Sequence, residues 1–358
     1  MNLWAHIENG FAFFNRMDYY NFEDLVSSLA SGFTINENRK YWFVRTVGGT
    51  YYSHFLNGGY VAIDYSDISK KFLDELPEKE ESALISLKTA YKDRHPNAKN
   101  AGKHAAQLYR FYRGIKEGDV VIIPSPDSNE LSFGIVKGAM YEQRLISDTD
   151  CPFMKRREVI WKEKSSKHKL HPKLQLAISS RHAISDMTDY AQYIDCVLKD
   201  FYIKEEETNL ILKIQTENDV TLDDFCSICA IQDLIADFCS NKGIAFEKEH
   251  LVMKIQMESP GWLKLTGKNF SGLLLFGVFL NGCFGGGLEF KKDAENVKFS
   301  ISTKGITGAI NEYLDREADR KLVESAARAI DSMKIKKPED IEPFIKLLEE
   351  RNKIRNKY

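Results

Sequence analysis

The chain has 358 residues, of which 43% are hydrophobic and 28% charged, and its formal net charge is −2. That composition excludes disordered, fibrous and disulfide-framework chains. Near-neutrality excludes binding of nucleic acid by overall charge, so any such affinity has to be local. At this length two domains, each with its own core, are expected.

The start, Met1 to Phe14, lacks the basic residues, the continuous apolar run and the small-residue cleavage site of a secretory signal, which points to the cytoplasm. Six cysteines without a regular framework suit reduced thiols. The one close pair, Cys226 and Cys229, falls among Phe225, Ile228, Ile231, Leu234 and Ile235 at helical spacing. With no second pair or His pair to complete a zinc site, both are expected in a helix core.

Residues 1–35 read as a short helical lead. From Tyr41 two β-rich runs, "YWFVRTVGG" and "YYSHFLNGGYVAIDY", carry glycine pairs at 48–49 and 58–59 that signal turns. Two helices follow, with Leu84, Leu87 and Tyr91 on one face of the first and Ala105, Leu108, Tyr109 and Tyr112 on one face of the second. Then come "DVVIIPSP", "LSFGIVKGAMY" and "REVIWKE", three short strands at the spacing of a small barrel or sandwich.

Between Lys155 and Arg181 stand nine Lys or Arg residues against Glu158 and Glu163; His168 and His171 in this stretch and His182 just after it are read as surface or cap residues. A mostly helical stretch then leads to "KEEETN" at 204–209, where the domain boundary is placed. The second half opens with a strand and a helix whose Thr221, Asp223 and Asp224 suit an N-terminal cap. A hairpin turned at Ser259-Pro260-Gly261 comes next.

Residues 269–288 carry no formal charge, and as a helix they would reach roughly 30 Å, the hydrocarbon thickness. Three readings of segment 269–290 stand: a buried Gly-rich helix, a segment that contacts or enters a membrane, and a hairpin at Asn281-Gly282. A strand, a turn and a long amphipathic helix with Ala318, Leu322, Ala326 and Ile330 on one face complete the chain. The final helices are candidates for pairing between copies.

Catalytic motifs are sparse. Glu289 and Lys291 form a Glu-x-Lys without the preceding carboxylate that a metal-dependent nuclease needs, and the glycines at 285–287 are not followed by the Lys-Ser/Thr of a phosphate loop. No cofactor is expected, and a binding role is favoured over an enzymatic one.

The aromatic strand ending in Arg45, the Gly-rich turn, Gly118-Asp119 before an apolar strand, and the basic strand ending in Trp161 together resemble a module of Mrr-like and other restriction-associated proteins. That module is similar to the PUA-like superfamily, which includes the EVE domain. The resemblance runs from about Tyr41 to Asp195. It implies a small β-barrel with inserted helices at 36–204, followed by a second α+β domain at 205–358, so the fold class is α+β. It also implies base recognition in prokaryotic defence.

The residues independently favour a nucleic-acid surface. Trp42, Tyr51, Tyr52, Tyr109 and Trp161 are aromatics suited to stacking a base, Lys155, Arg156 and Arg157 are suited to phosphate, and Arg45 is a polar group beside them. The alternative function is a defence effector that acts on a membrane through 269–290 after sensing a nucleotide or foreign component.

Overall fold

The computed structural model describes residues 30–143, 151–179, 182–242, 246, 248–256, 261–283, 288–293, 296–301 and 317–346. The protein is mixed α+β with a curled half-barrel sheet. The chain divides into two compact units, one formed by 38–198 and the other by 1–37 with 199–358.

In the 38–198 unit, strand β1 (Tyr41–Val44) is followed by helix α1 (Tyr52–Gly58) and strand β2 (Tyr60–Ile63). The run from Tyr51, read as β, is therefore half helix. The α1 helix ends at Gly59, whose left-handed backbone (φ 65°) closes it. Helices α2 (Lys70–Asp74), α3 (Glu80–Arg94) and α4 (Ala101–Tyr109) follow, with one π turn at Arg110–Gly114.

Strands β3 (Val120–Pro124), β4 (Glu130–Val136), β5 (Tyr141–Glu142) and β6 (Lys155–Ser166) come next, then helix α5 (Pro172–Ala177), strand β7 (Ile184–Asp186) and helix α6 (Ala191–Leu198). The sheet order is β2-β6-β4-β3-β1-β7, with β5 also on β6. Only β1 and β3 run parallel among these described pairs.

Strand β3 is a continuous apolar run because both its faces are covered. Val121 and Ile123 join Trp42, Val44, Phe55, Leu73, Leu87, Leu108 and Phe111 on the side of α1 to α4. Val120 and Ile122 join Tyr41, Phe43, Leu131, Phe133, Leu174, Ile178 and Ile194 on the side of α5 and α6. Strand β6 is long enough to serve two neighbours: Lys155–Glu158 pair with β2, whereas Val159–Ser166 pair with β4. Its register slips between Phe133 and Gly134, where Trp161 and Glu163 bracket an extra residue. A bulge there sharpens the local twist.

The other unit holds a sheet ordered β10-β11-β9-β14, with β8 also on β9. These strands are β8 (Phe201–Lys204), β9 (Glu207–Ile214), β10 (Val252–Gln256), β11 (Gly261–Gly267) and β14 (Ile335–Lys336). Against them pack helices α7 (Leu222–Lys242), α8 (Phe270–Cys283) and α9 (Glu317–Ser332), and a separate hairpin pairs β12 (Leu288–Asp293) with β13 (Asn296–Ile301). The core joins Leu210, Leu212, Leu263 and Leu265 to Ile231, Ile235, Phe276, Phe279, Ala326 and Ile330.

Three expectations change. The boundary placed at 204 falls inside a tight hairpin in which Lys204 faces Glu207, with Glu205 and Glu206 at φ 52° and 65°. The described end of the lead belongs to this unit as well, since Thr34 bridges Ile203 and Phe33 lies against Phe201 with ring centroids 5.2 Å apart. Residues 1–29 lie outside the described set.

Segment 269–290 contributes α8, fourteen residues and therefore about 21 Å, well short of a bilayer's roughly 30 Å. Residues 271–280 are all buried in the core. Among the described residues no helix is long and apolar enough to cross a membrane. The structure thus gives the membrane reading no support and makes this segment a core helix. The side chains of Glu289 and Lys291 lie outside the described set.

Candidate nucleic-acid interface

The residues named from sequence divide by depth. Trp42 is buried, and its indole Nε1 donates to Asp119 Oδ2 at 2.9 Å. The same carboxylate accepts from Lys40 N at 3.0 Å and Lys116 N at 2.9 Å, so Asp119 ties the start of β1 to the start of β3. Tyr52 is buried too, its hydroxyl 2.7 Å from both Glu130 Oε1 and Ser132 Oγ. Burial, aided by Glu130 and opposed by the Ser132 contact, pushes its hydroxyl up to about 12.

Lys155 has 0% of its side chain exposed and meets Glu142 Oε1 at 2.9 Å. Arg157 is also enclosed. Its guanidinium donates to Phe111 O at 2.8 Å, Gly138 O at 2.9 Å and Tyr112 O at 2.6 Å. Burial lowers Arg157 to about 10, against the opposing influence of Asp119 and Tyr112. These two cations point inward because β6 alternates, and Lys155, Arg157 and Val159 fall on its covered face. Their charges are engaged inside the unit.

The remaining named residues are half-buried. Arg156 covers the Tyr60 ring at 4.2 Å and donates to Phe153 O and Cys151 O, both at 3.0 Å. Trp161 donates to Phe55 O at 3.0 Å, and Tyr51 meets Phe153 edge-on at 4.8 Å. Tyr109 packs on the α1-to-α4 core, whereas Arg45 sits 5.7 Å from the Phe43 ring on the other face of β1. The structure brings Tyr51, Phe153, Arg156 and Tyr60 into one neighbourhood. It does not bring Arg45 or Tyr109 to the same contacts.

The exposed cations lie further along β6 and just after it. Lys162, Lys164, His168, Lys169 and Lys173 are exposed, and Lys167 is half-buried. Lys164 lies 3.6 Å from Glu130, with half its side chain in solvent. His171 caps α5 by accepting from Lys173 N at 3.2 Å. Arg181 lies outside the described residues.

Alternation along a strand would have separated the inward from the outward cations in advance. The alternation of exposure along β6 continues through Lys162 and Lys164 despite the register shift against β4 at Trp161–Glu163.

Cys226 and Cys229 are both exposed, contrary to the expectation of a core pair. The buried face of α7 is Ile228, Ile231, Leu234, Ile235 and Cys239, one step round the helix. Among the described residues no three His, Cys, Asp or Glu side chains gather where a metal ion could be held.

Residues 42–188 match the model of a family described as a domain of unknown function (DUF8426). The match lies within the 38–198 unit. No curated protein and no solved structure matches the chain.

Proposed function

We propose that residues 38–198 are a PUA-like recognition module that binds nucleic acid without cutting it, in the setting of prokaryotic defence that the sequence resemblance implies. The observation that carries this reading is the run of exposed cations Lys162, Lys164, Lys169 and Lys173 with the half-buried Lys167 among them, set on β6 and the short turn and helix that follow it. A protein with net charge −2 that concentrates five lysines within twelve residues has a local field suited to a phosphate backbone. The half-buried Trp161 adjoins Lys162 on β6, and stacking of an unpaired base contributes about 1–3 kcal/mol.

The test is binding of the full chain to single- and double-stranded DNA and RNA oligonucleotides at about 50 and about 200 mM salt, with each phosphate contact adding about one unit of salt slope. Affinity that falls steeply between the two salts supports the reading. Absence of binding to all four at the lower salt overturns it.

A further inference from the structure

Helix α7 carries two cysteines that the nucleic-acid surface does not use. Cys226 and Cys229 are exposed and neither is in a disulfide, whereas Ile228, Ile231, Leu234 and Ile235 hold the other face of the helix in the core. They stand three residues apart in "CSIC", one turn inside a helix that starts at Leu222. Both line one open cleft of about 530 Å³, together with Gln232, Asp233 and Lys248. That volume lies within the roughly 300–1,000 Å³ of small-molecule sites.

The cleft has a fixed wall. Gln232 Nε2 donates to Lys248 O at 2.9 Å, and Lys248 Nζ meets Asp233 Oδ1 at 2.8 Å. The short turn Lys248–His250 is thereby tied to α7 one helical turn beyond Cys229.

Helical geometry decides what the pair can do. With a rise of about 1.5 Å per residue and a radius of about 2.3 Å, residues i and i+3 have Cα atoms about 5 Å apart. A disulfide spans roughly 4.4–6.8 Å between Cα atoms, so the backbone permits one. The Cβ atoms are the strained part: neighbours on a helix face sit about 5–6 Å apart, whereas a bonded pair needs about 3.5–4.5 Å. Closure therefore tightens this turn by about 1–2 Å, and such strain makes the bond easier to reduce. Strained or exposed disulfides are the labile kind, not the structural kind.

Two further observations agree. The thiols sense each other, because the Cys229 thiol is raised by burial and also by Cys226. Among the described residues no three His, Cys, Asp or Glu side chains gather where a metal ion could be held, so the pair has the make-up of a dithiol and not of a closed metal site.

We propose that Cys226 and Cys229 form a reversible dithiol–disulfide site that exchanges with low-molecular-weight disulfides. The Cys226 thiolate attacks one sulfur of the small disulfide, whose own S–S bond breaks, and the departing thiolate takes up a proton. Cys229 then gives its proton to water and attacks the Cys226 sulfur, which closes the protein disulfide and releases the second small thiol. Two protein thiols are oxidised by two electrons, and one small disulfide is reduced to two thiols. Cys226 leads because the thiolate is the nucleophile and burial keeps Cys229 protonated longer. The site belongs to the unit formed by 1–37 with 199–358 and does not rest on the nucleic-acid reading.

The test uses the reduced full chain in buffers of reduced glutathione and glutathione disulfide at stepped ratios. Samples are quenched in acid, free thiols are alkylated, and peptides are mapped by mass. The peptide bearing Cys226 and Cys229 should lose two hydrogens as glutathione disulfide rises and regain them on return to reduced glutathione. Cys229→Ser should stop at one glutathione on Cys226, and Cys226→Ser should abolish the linkage.

Alkylation of both thiols at every ratio overturns the proposal. So does a glutathione adduct on Cys226 that persists in the unmodified protein without closing, which would mean an isolated reactive thiol. A linkage that reduced glutathione does not reverse overturns it too, as that would be a structural disulfide. Should either variant fail to fold, the mapped linkage and its reversal in the unmodified protein decide the matter.

Discussion

Arg157 is a cation in a basic run that spends its whole fork on three backbone carbonyls, holding the π turn after α4 to β6. Removing it leaves those buried acceptors without donors, a loss of about 3 kcal/mol for hydrogen bonds made by a charged group. Arg157→Ala, and also Arg157→Lys because an ammonium lacks the planar fork, should lower the urea midpoint without weakening nucleic-acid binding per folded molecule. Weakened binding at unchanged stability would mean that Arg157 reaches ligand after all.

Tyr52 makes a pH prediction whose sign is fixed by its raised value. The folded state holds the hydroxyl proton up to about 12, whereas the unfolded chain releases it near 10. The stability it contributes is therefore complete below pH 10 and is lost as the pH rises through 12. Tyr112, raised to about 12 by burial and by Asp74, acts in the same direction. Denaturation midpoints should fall above pH 10, and they should fall less in Tyr52→Phe. Parallel falls in the two proteins would contradict the assignment.

At the scale of elements, apolar periodicity read β1, β3 and two of the three helices between β2 and β3, α3 and α4, because runs such as "VVIIP" have one physical solution when both faces are covered; the five-residue α2 was missed. It failed where polar residues act through their backbone. "YSHFLNG" became helix because Phe55 packs into the core while Gly59 closes the turn, and its aromatic content had suggested strand. The three residues of β7, Ile184–Asp186, had too little periodicity to see.

The bulge in β6 was equally hidden, although Gly134 marks its partner. A Cβ there would stand 2.4 Å from Val159 Cγ1 and 2.7 Å from Trp161 Cε3. Gly134→Ala should cost about 1–3 kcal/mol by overpacking, read as a lowered melting temperature. In α7 the turn of the helix makes a separate prediction. Thiol labelling of the native protein followed by mass mapping should modify Cys226 first, and Cys229 more slowly because burial raises its thiol. Cys151, Cys196 and Cys239 should stay protected until unfolding, and early labelling of Cys239 would refute the face assigned to α7.

At the scale of the molecule, the described residues before 38 belong to one unit, the chain leaves it to build 38–198, and it returns at Lys199. A linker search could not find this. The acidic "KEEETN" looked like a join, yet it is a hairpin turn whose two positive-φ residues are glutamates rather than the Asn-Gly that usually signals such a turn. The apolar 269–290 segment looked long enough for a bilayer because composition does not show where a helix stops.

The candidate surface was half legible. The basic run was visible in the sequence, but strand alternation turned Lys155 and Arg157 inward and left Lys162 and Lys164 outside, with the later lysines beyond the strand's end. This contrast gives the most direct test of the central claim. The full chain with Lys162, Lys164, Lys167 and Lys169 changed together to Ala should be titrated with a single-stranded oligonucleotide beside the unmodified protein at several salt concentrations. Unchanged folding with weaker binding and a salt slope reduced by about one unit per lost phosphate contact is the predicted result. Identical affinity and slope in the two proteins would contradict it.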